Sequence, residues 1–300
     1  MENPFKDMDG KVLEERERKI ALLKNSRTVQ NFLKQNNQSF EVVEKNSADF
    51  LDWLARIKQC DGCPGLEFCT QPVKGRAKTL YIDEDGFLQD EFVLCKYSKE
   101  YRKKTGFLSN YLISHVEDDC RTILFDDLSV PMGDENYAIA FDAMDVSRDI
   151  GKGVFLYGQP GTGKSYLSSA LMNAYAKEGK TVSFVKVPQL MQELKQNIRD
   201  NEFRQKTLRA LQQSDVLVLD DIGSEAITPW TRDEILFPVL DYRMSRKKKT
   251  YFTSNYTMDE LKDNYLLSNQ NNALVAVLRL MERITTLAVP VELTGKSRRS

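Results

Sequence analysis

The chain has 300 residues, 41% hydrophobic and 29% charged, with a formal net charge of −1. That length suggests two domains, and the balance is that of an ordinary globular protein without the overall basic excess of many nucleic-acid binders. No apolar run approaches the about 20 residues of a membrane helix, and the opening Met1-Glu2-Asn3-Pro4-Phe5-Lys6 has no apolar leader core. A cytoplasmic protein is expected, with its five cysteines reduced or metal-bound rather than paired in disulfides.

Residues 1–58 read as charged helix. Residues 12–33 carry apolar side chains at mixed three- and four-residue spacing, and residues 48–58 carry Phe50, Leu51, Trp53, Leu54 and Ile57. A short helical region rarely buries every apolar position, so a small core and a partner-binding face are both expected. Cys60-Asp61-Gly62-Cys63 follows, then Cys69 and Cys95. A C-x-x-C pair without a strand before it and a helix after it suits a metal better than redox exchange. The expected ligands of a tetrahedral Zn²⁺ are Cys60, Cys63, Cys69 and Cys95. Residues 79–82 and 91–94 read as a hairpin that such a staple would hold. The first domain is therefore placed at residues 1–105 and a linker at 106–125, with a short helix over 110–116. His115 reads as a surface or linker residue, and Cys120 as an inert core thiol.

From residue 126 to 300 strands alternate with helices. Strands are expected over 153–157, 181–187, 215–221, 250–255 and 288–293. Helices are expected over 137–149, 166–177, 189–210 (in segments), 232–246, 258–265 and 273–287. Such alternation means a parallel sheet covered on both faces.

Gly158-Gln159-Pro160-Gly161-Thr162-Gly163-Lys164-Ser165 fits G-x-x-x-x-G-K-[S/T], between the first of these strands and its helix. Backbone N–H groups of such a loop cradle phosphate oxygens, and the helix start adds its partial positive charge. Lys164 is expected to reach the β- and γ-phosphates, and Ser165 to hold Mg²⁺. The strand ending in Asp220-Asp221 fits the second half of a nucleotide site. Asp220 is assigned to the Mg²⁺ shell and Asp221 to the attacking water. Asn255, at the next strand tip, can reach the γ-phosphate or its water. Arg279 and Arg283 lie four apart on one helix face and pair either with Glu282 or with transition-state charge. The basic run 243–249 is either a solvated face or a contact to nucleic-acid phosphate.

Gly158 to Ser165, Leu219-Asp220-Asp221-Ile222-Gly223, Thr253-Ser254-Asn255-Tyr256 and the Arg279-to-Arg283 helix together resemble the AAA+ ATPases of the DnaC/DnaI/IstB group. The cysteine region ahead of them resembles that of the DnaI-type replicative helicase loaders. The resemblance implies an AAA+ P-loop core, a five-stranded parallel sheet with helices on both faces and a reduced or absent lid, preceded by a small mixed α+β zinc domain. It implies an ATPase that uses ATP, Mg²⁺ and Zn²⁺ to load the hexameric replicative helicase onto DNA at initiation or restart. It also implies docking on the helicase through the first domain, contact with single-stranded DNA and self-association through the ATPase domains. Asn255 matches sensor 1, and Arg283 the arginine of the box VII element. Only residues 294–300 follow the last strand, which leaves no room for a helical lid with a sensor 2 arginine. Family members can use a histidine as a zinc ligand; none stands near Ala77, so four cysteines are the simplest set. The competing reading is an IstB-like transposition helper, which needs no cysteine region. A P-loop kinase would lack a use for Asp220-Asp221 with Asn255.

Overall fold

The structure is a computed structural model and describes residues 6–130, 132–266 and 273–298. Residues 1–5, part of the opening stretch on which the expectation about a leader rests, lie outside it. The chain divides into two compact units, residues 1–103 and 104–300.

The first unit opens with helices α1 (Lys6–Lys24), α2 (Arg27–Gln35), α3 (Glu41–Lys45) and α4 (Ser47–Cys60). The single helix expected over 12–33 is broken. Ser26 caps the start of α2, accepting from the Val29 N–H at 3.5 Å. Phe32, Phe50 and Trp53 meet edge to face, with centroids 5.3 to 6.0 Å apart. They form one core with Leu23, Val29, Leu33, Val43 and Leu80. Leu80 comes from an antiparallel hairpin, β1 (Arg76–Ile82) with β2 (Leu88–Leu94), so the expected hairpin is present. Helix α5 (Lys96–Thr105) follows.

In the second unit β3 (Tyr111–Ser114) precedes helix α6 (Glu135–Val146), β4 (Gly153–Tyr157), α7 (Lys164–Lys177), β5 (Val182–Lys186), α8 (Val187–Gln196) and α9 (Asn201–Gln213). Next come β6 (Val216–Asp220), a π-helical segment (Trp230–Leu236), α10 (Phe237–Ser245), β7 (Lys249–Ser254), α11 (Met258–Leu266), α12 (Ala273–Leu287) and β8 (Ala288–Glu292). The sheet is wholly parallel, in the order β3-β5-β6-β7-β4-β8. It has six strands rather than the expected five. Alternate residues of one strand enter opposite cores: Val216 and Val218 on one face, Leu217 and Leu219 on the other. A strand buried on both faces needs a continuous apolar run, which is how these strands read in the sequence. Each fully buried side chain of this kind contributes roughly 1.5–3 kcal/mol.

The extra strand corrects the linker. Residues 106–125 belong to the second unit, and 111–114 are the edge strand of its sheet instead of a helix. Asn173, fully buried on α7, explains the attachment. Its amide donates to the carbonyls of Cys120 (2.8 Å) and Ile123 (2.7 Å) and accepts from the Tyr111 hydroxyl (2.7 Å). A buried amide without these partners would be costly, so segment and helix hold each other. Cys120 is buried in that cluster, and burial pushes its thiol up to about 11. His115 is not a surface residue. Its side chain is 8% exposed, with Nδ1 accepting from the Lys186 N–H and Nε2 3.5 Å from Glu193.

The basic run 243–249 is mostly structural. Arg243 is fully buried and donates to the carbonyls of Leu211, Ser214 and Lys249 and to the Thr250 hydroxyl. Lys248 donates to the Gln213 carbonyl, and Lys249 to those of Ser147 and Ile150. Each buried carbonyl left unpaired would cost about 1–3 kcal/mol, so these cations close the chain ends around β7. Arg246 and Lys247 remain exposed.

Candidate functional site

Three neighbouring strand ends build the site. β4 runs into the glycine loop, β6 ends at Asp220, and β7, which lies between them, leads to Asn255. All three end at the same edge because the sheet is parallel, which is where open α/β sheets bind ligands.

The loop is fixed by close approach. A Cβ on Gly158 would stand 2.1 Å from the Leu293 carbonyl oxygen, so only glycine fits there. Gly163 caps α7 with φ 101°, a left-handed conformation that glycine adopts without strain. Helix α7 thus begins at Lys164, with its N-terminal N–H groups facing the loop. Lys164 is itself buried. Its ammonium donates to the Gly158 and Gln159 carbonyls (2.7 and 2.9 Å) and to Asn255 Oδ1 (2.9 Å).

A continuous polar chain joins the three strand ends. Asn255 Oδ1 takes the lysine, while its Nδ2 donates to Asp221 Oδ1 at 2.8 Å. Only a side chain with both an acceptor and a donor can bridge that ammonium and that carboxylate. Ser165 Oγ donates to Asp220 Oδ1 at 2.8 Å, and Thr253 Oγ1 donates to the same oxygen at 2.6 Å. Thr253 Oγ1 also accepts from the Asp221 N–H at 2.9 Å. Asp221 has φ 60°, a strained conformation for a residue with a side chain. The Thr253 bond, with Ser224 donating to its carboxylate at 2.8 Å, holds it there.

Asp220 is 2% exposed. Burial raises its carboxyl above the usual range, the Asp221 charge pushes the same way, and the bonds from Thr253 and Ser165 pull it partly back. Its oxygen and the Ser165 hydroxyl form a pair suited to a hard divalent cation such as Mg²⁺.

Together these groups open onto a cavity of about 760 Å³, whose lining includes Lys164, Ser165, Asp220, Asp221, Asn255 and Arg298. The volume suits a nucleotide-sized ligand. Gly161 and Pro160 line it as well, and Gln159 and Thr162 complete the loop, the Thr162 hydroxyl donating to the Gln159 carbonyl at 3.0 Å.

Arg283 is not among the residues lining the cavity. It is paired with Asp241 at 3.0 Å and with Glu282 at 2.5 Å, and lies over the Phe237 ring beside Arg279. Missed in the sequence were Thr253 as the link between the two aspartates, and Tyr137, Lys186 and Arg298 in the cavity wall. Thr253 was signalled only by a polar residue at a strand end. The others come from distant segments that nothing in the local pattern joins.

Cys60, Cys63, Cys69 and Cys95 lie in the first unit, all partly exposed. Sulfur of Cys60 accepts from Gln71 Nε2 (3.3 Å), that of Cys69 from the Gly75 N–H (3.3 Å) and that of Cys95 from the Ser98 N–H (3.4 Å). Cys63 Sγ contacts the Gly65 carbonyl at 3.5 Å. The Gly75 N–H lowers the Cys69 thiol's pKa. Among the described residues no group of three or more His, Cys, Asp or Glu side chains converges to hold a metal. Cys60, Cys63, Cys69 and Cys95, the zinc ligands expected from the sequence, are thus not drawn together into such a group among the described residues.

Comparison with known proteins finds a match to the family model of IstB-like ATP binding proteins over residues 145–300. The replicative helicase loader DnaI of Bacillus subtilis (strain 168) is 31% identical over 278 residues, 90% of this chain and 89% of that one. A crystal structure of DnaI matches with a TM-score of 0.54 and 33% identity, covering 64% of this chain and 99% of the other. A putative primosome component from Streptococcus pyogenes serotype M3 matches with a TM-score of 0.52 and 29% identity, covering 66% and 100%.

Neutralising Asp220 tests the electrostatics. Its folded pKa is raised, so the cost in stability is complete above that pKa, shrinks as pH falls through it and is gone only below the lower pKa of the unfolded chain. Asp220→Asn is expected to raise the melting temperature of the nucleotide-free protein at neutral pH, with the gap to wild type closing as the solution is acidified. Thermal scans across pH check this; an Asn variant less stable than wild type at neutral pH would contradict it.

Proposed function

The chain belongs to the family of IstB-like ATP-binding proteins, in its DnaI-type branch, and we propose that it is an ATP-dependent loader that places the replicative DNA helicase on DNA during primosome assembly. One observation carries the choice over an IstB-like transposition helper. The similarity to DnaI runs through nearly the whole of both chains, so it takes in the first unit as well as the ATPase core, whereas the IstB-like model matches residues 145–300.

In this reading the loop N–H groups and Lys164 bind the nucleotide phosphates. Ser165 and Asp220 hold Mg²⁺, which supplies charge neutralisation on the phosphates. Asp221 polarises the attacking water. Asn255 positions that water and couples it to Lys164, which its amide already touches. Residues 1–103 bind the hexameric helicase, aided by the solvent-exposed side chains of Leu22, Phe68 and Phe87. The second unit acts on single-stranded DNA, and either that DNA or the helicase stimulates hydrolysis.

Arg283 serves a neighbouring subunit. Support comes from its absence from the lining of its own cavity and from Leu274, Val275 and Leu278 on the same helix, each about half exposed, which give that helix an apolar contact face. On assembly Arg283 exchanges Asp241 for the neighbour's phosphate.

A Zn²⁺ ion on Cys60, Cys63, Cys69 and Cys95 completes the first unit. The Gly75 N–H on the Cys69 sulfur lowers that thiol's pKa and favours its thiolate, the form that binds metal.

Purified full-length protein is expected to capture the replicative helicase and, with ATP, transfer it to single-stranded DNA. Lys164→Ala retains capture but loses ATP binding and transfer. A wild-type protein that ignores the helicase in a pull-down sinks the loader assignment. For the arginine, Arg283→Ala and Asp221→Asn are each expected to lose on the order of 10³-fold in turnover while still binding ATP. Mixing the two with helicase and DNA restores part of the activity; a mixture as inactive as either variant makes Arg283 a structural partner of Asp241. For the metal, elemental analysis is expected to give one zinc per chain, lost together with thermal stability in Cys60→Ser. Well-folded, metal-free protein rules the site out.

A further inference from the structure

The segment after β8 returns across the glycine loop. The Leu293 N–H donates to the Tyr157 carbonyl at 2.7 Å, and the Arg298 N–H donates to the Gly161 carbonyl, also at 2.7 Å. Two backbone bonds therefore pin the segment at either end of the loop's first half. Ser297 packs directly on Gly161, where an added Cβ would come within 2.5 Å of its hydroxyl. The Arg298 guanidinium lies 4.3 Å from the centre of the Tyr137 ring and pairs with Asp134. Both Arg298 and Tyr137 line the same cavity as Lys164 and Ser165.

We propose that Arg298 is a nucleotide-binding residue, a cation delivered to the phosphates by the C-terminal segment and held by Asp134 when no phosphate competes. The proposal rests on the reading of this cavity as the ATP site.

Position comes first. Arg298 is bonded by its own backbone to the glycine loop, so its side chain can swing between Asp134 and a phosphate without movement of the chain. Chemistry comes second. A guanidinium fork binds carboxylate and phosphate in the same two-pronged manner, so the two anions compete for one cation. Energy decides the competition. The Arg298–Asp134 pair is about one-third exposed on both sides, and such pairs contribute little. A nucleotide carries several negative charges into a partly enclosed cavity, where Lys164 already spends its ammonium on loop carbonyls and Asn255. A second cation there has more to gain from phosphate than from one partly solvated carboxylate. The Tyr137 ring gives the guanidinium a cation–π partner in the cavity wall.

Asp134 also caps α6, accepting from the Tyr137 N–H at 3.0 Å. Asparagine caps helices as well as aspartate does. Asp134→Asn therefore removes the competing charge while keeping the helix start.

The test is titration of the full-length chain with a fluorescent ATP analogue, on wild type, Lys164→Ala, Arg298→Ala, Arg298→Lys and Asp134→Asn. Arg298→Ala is expected to weaken binding about tenfold or more, a loss of about one charge-assisted contact. Arg298→Lys recovers only part, since an ammonium lacks the fork. Asp134→Asn tightens binding. A purely structural pair predicts the opposite for Asp134→Asn, because breaking it would loosen the cavity wall. Wild-type affinity in Arg298→Ala, or unchanged or weaker binding in Asp134→Asn, overturns the proposal. Failure of the underlying ATP reading looks different: wild type fails to bind the analogue, or Lys164→Ala binds it as well as wild type, and the Arg298 proposal then falls with it.

Discussion

Backbone hydrogen bonds seat β7 between β4 and β6, and the rest of the site depends on that seating. The strand brings Thr253 against both aspartates and Asn255 between Lys164 and Asp221. Displaced by one position in the sheet, it would leave the glycine loop and the carboxylates as separate features without a connecting group. Its own ends are closed by buried Arg243 and by Lys249, whose donors satisfy the carbonyls around it. The cations of the basic run thus hold in place the strand on which the chemistry depends.

The cost of the site is visible in its ground state. Asp220 keeps a carboxylate out of water, and Asp221 holds a left-handed backbone. Neither would persist on the surface of a small core. Two apolar layers pack the sheet from both sides and overdetermine the strand ends, and strained, desolvated groups survive only where surrounding structure fixes them. A cation held by Asp220 would offset the desolvation of its carboxylate, which couples stability to ligand.

The two units differ in how they are held. The second has a sheet sealed by two cores. The first relies on a modest aromatic cluster and a two-stranded hairpin, with four cysteines between the last residue of α4 and the start of α5. Small domains of that kind commonly need a further tie, and thiol groups held by N–H donors are the local candidates.

Much of the nucleotide chemistry was legible in the sequence. Gly158 to Ser165 follows an apolar run and opens a helix, so local spacing alone fixes a turn with inward N–H groups and a lysine at the helix start. Asp220-Asp221 at the end of an apolar run is equally local. Strand and helix positions in the second unit follow from periodicity, because a strand buried on both faces leaves no choice of residue. Only the tertiary structure decided which strand ends are neighbours, since sheet order β6-β7-β4 is not chain order. It also decided that residues 111–114 pair with β5, because the signal is a buried Asn173 some sixty residues away on α7. Arg298 reaches the loop from the far end of the chain by bonds to backbone carbonyls, which carry no sequence signature. Sequence determined the groups whose geometry is set by neighbours in the chain; packing determined those whose partners are distant, because burial and hydrogen-bond satisfaction are properties of the folded whole.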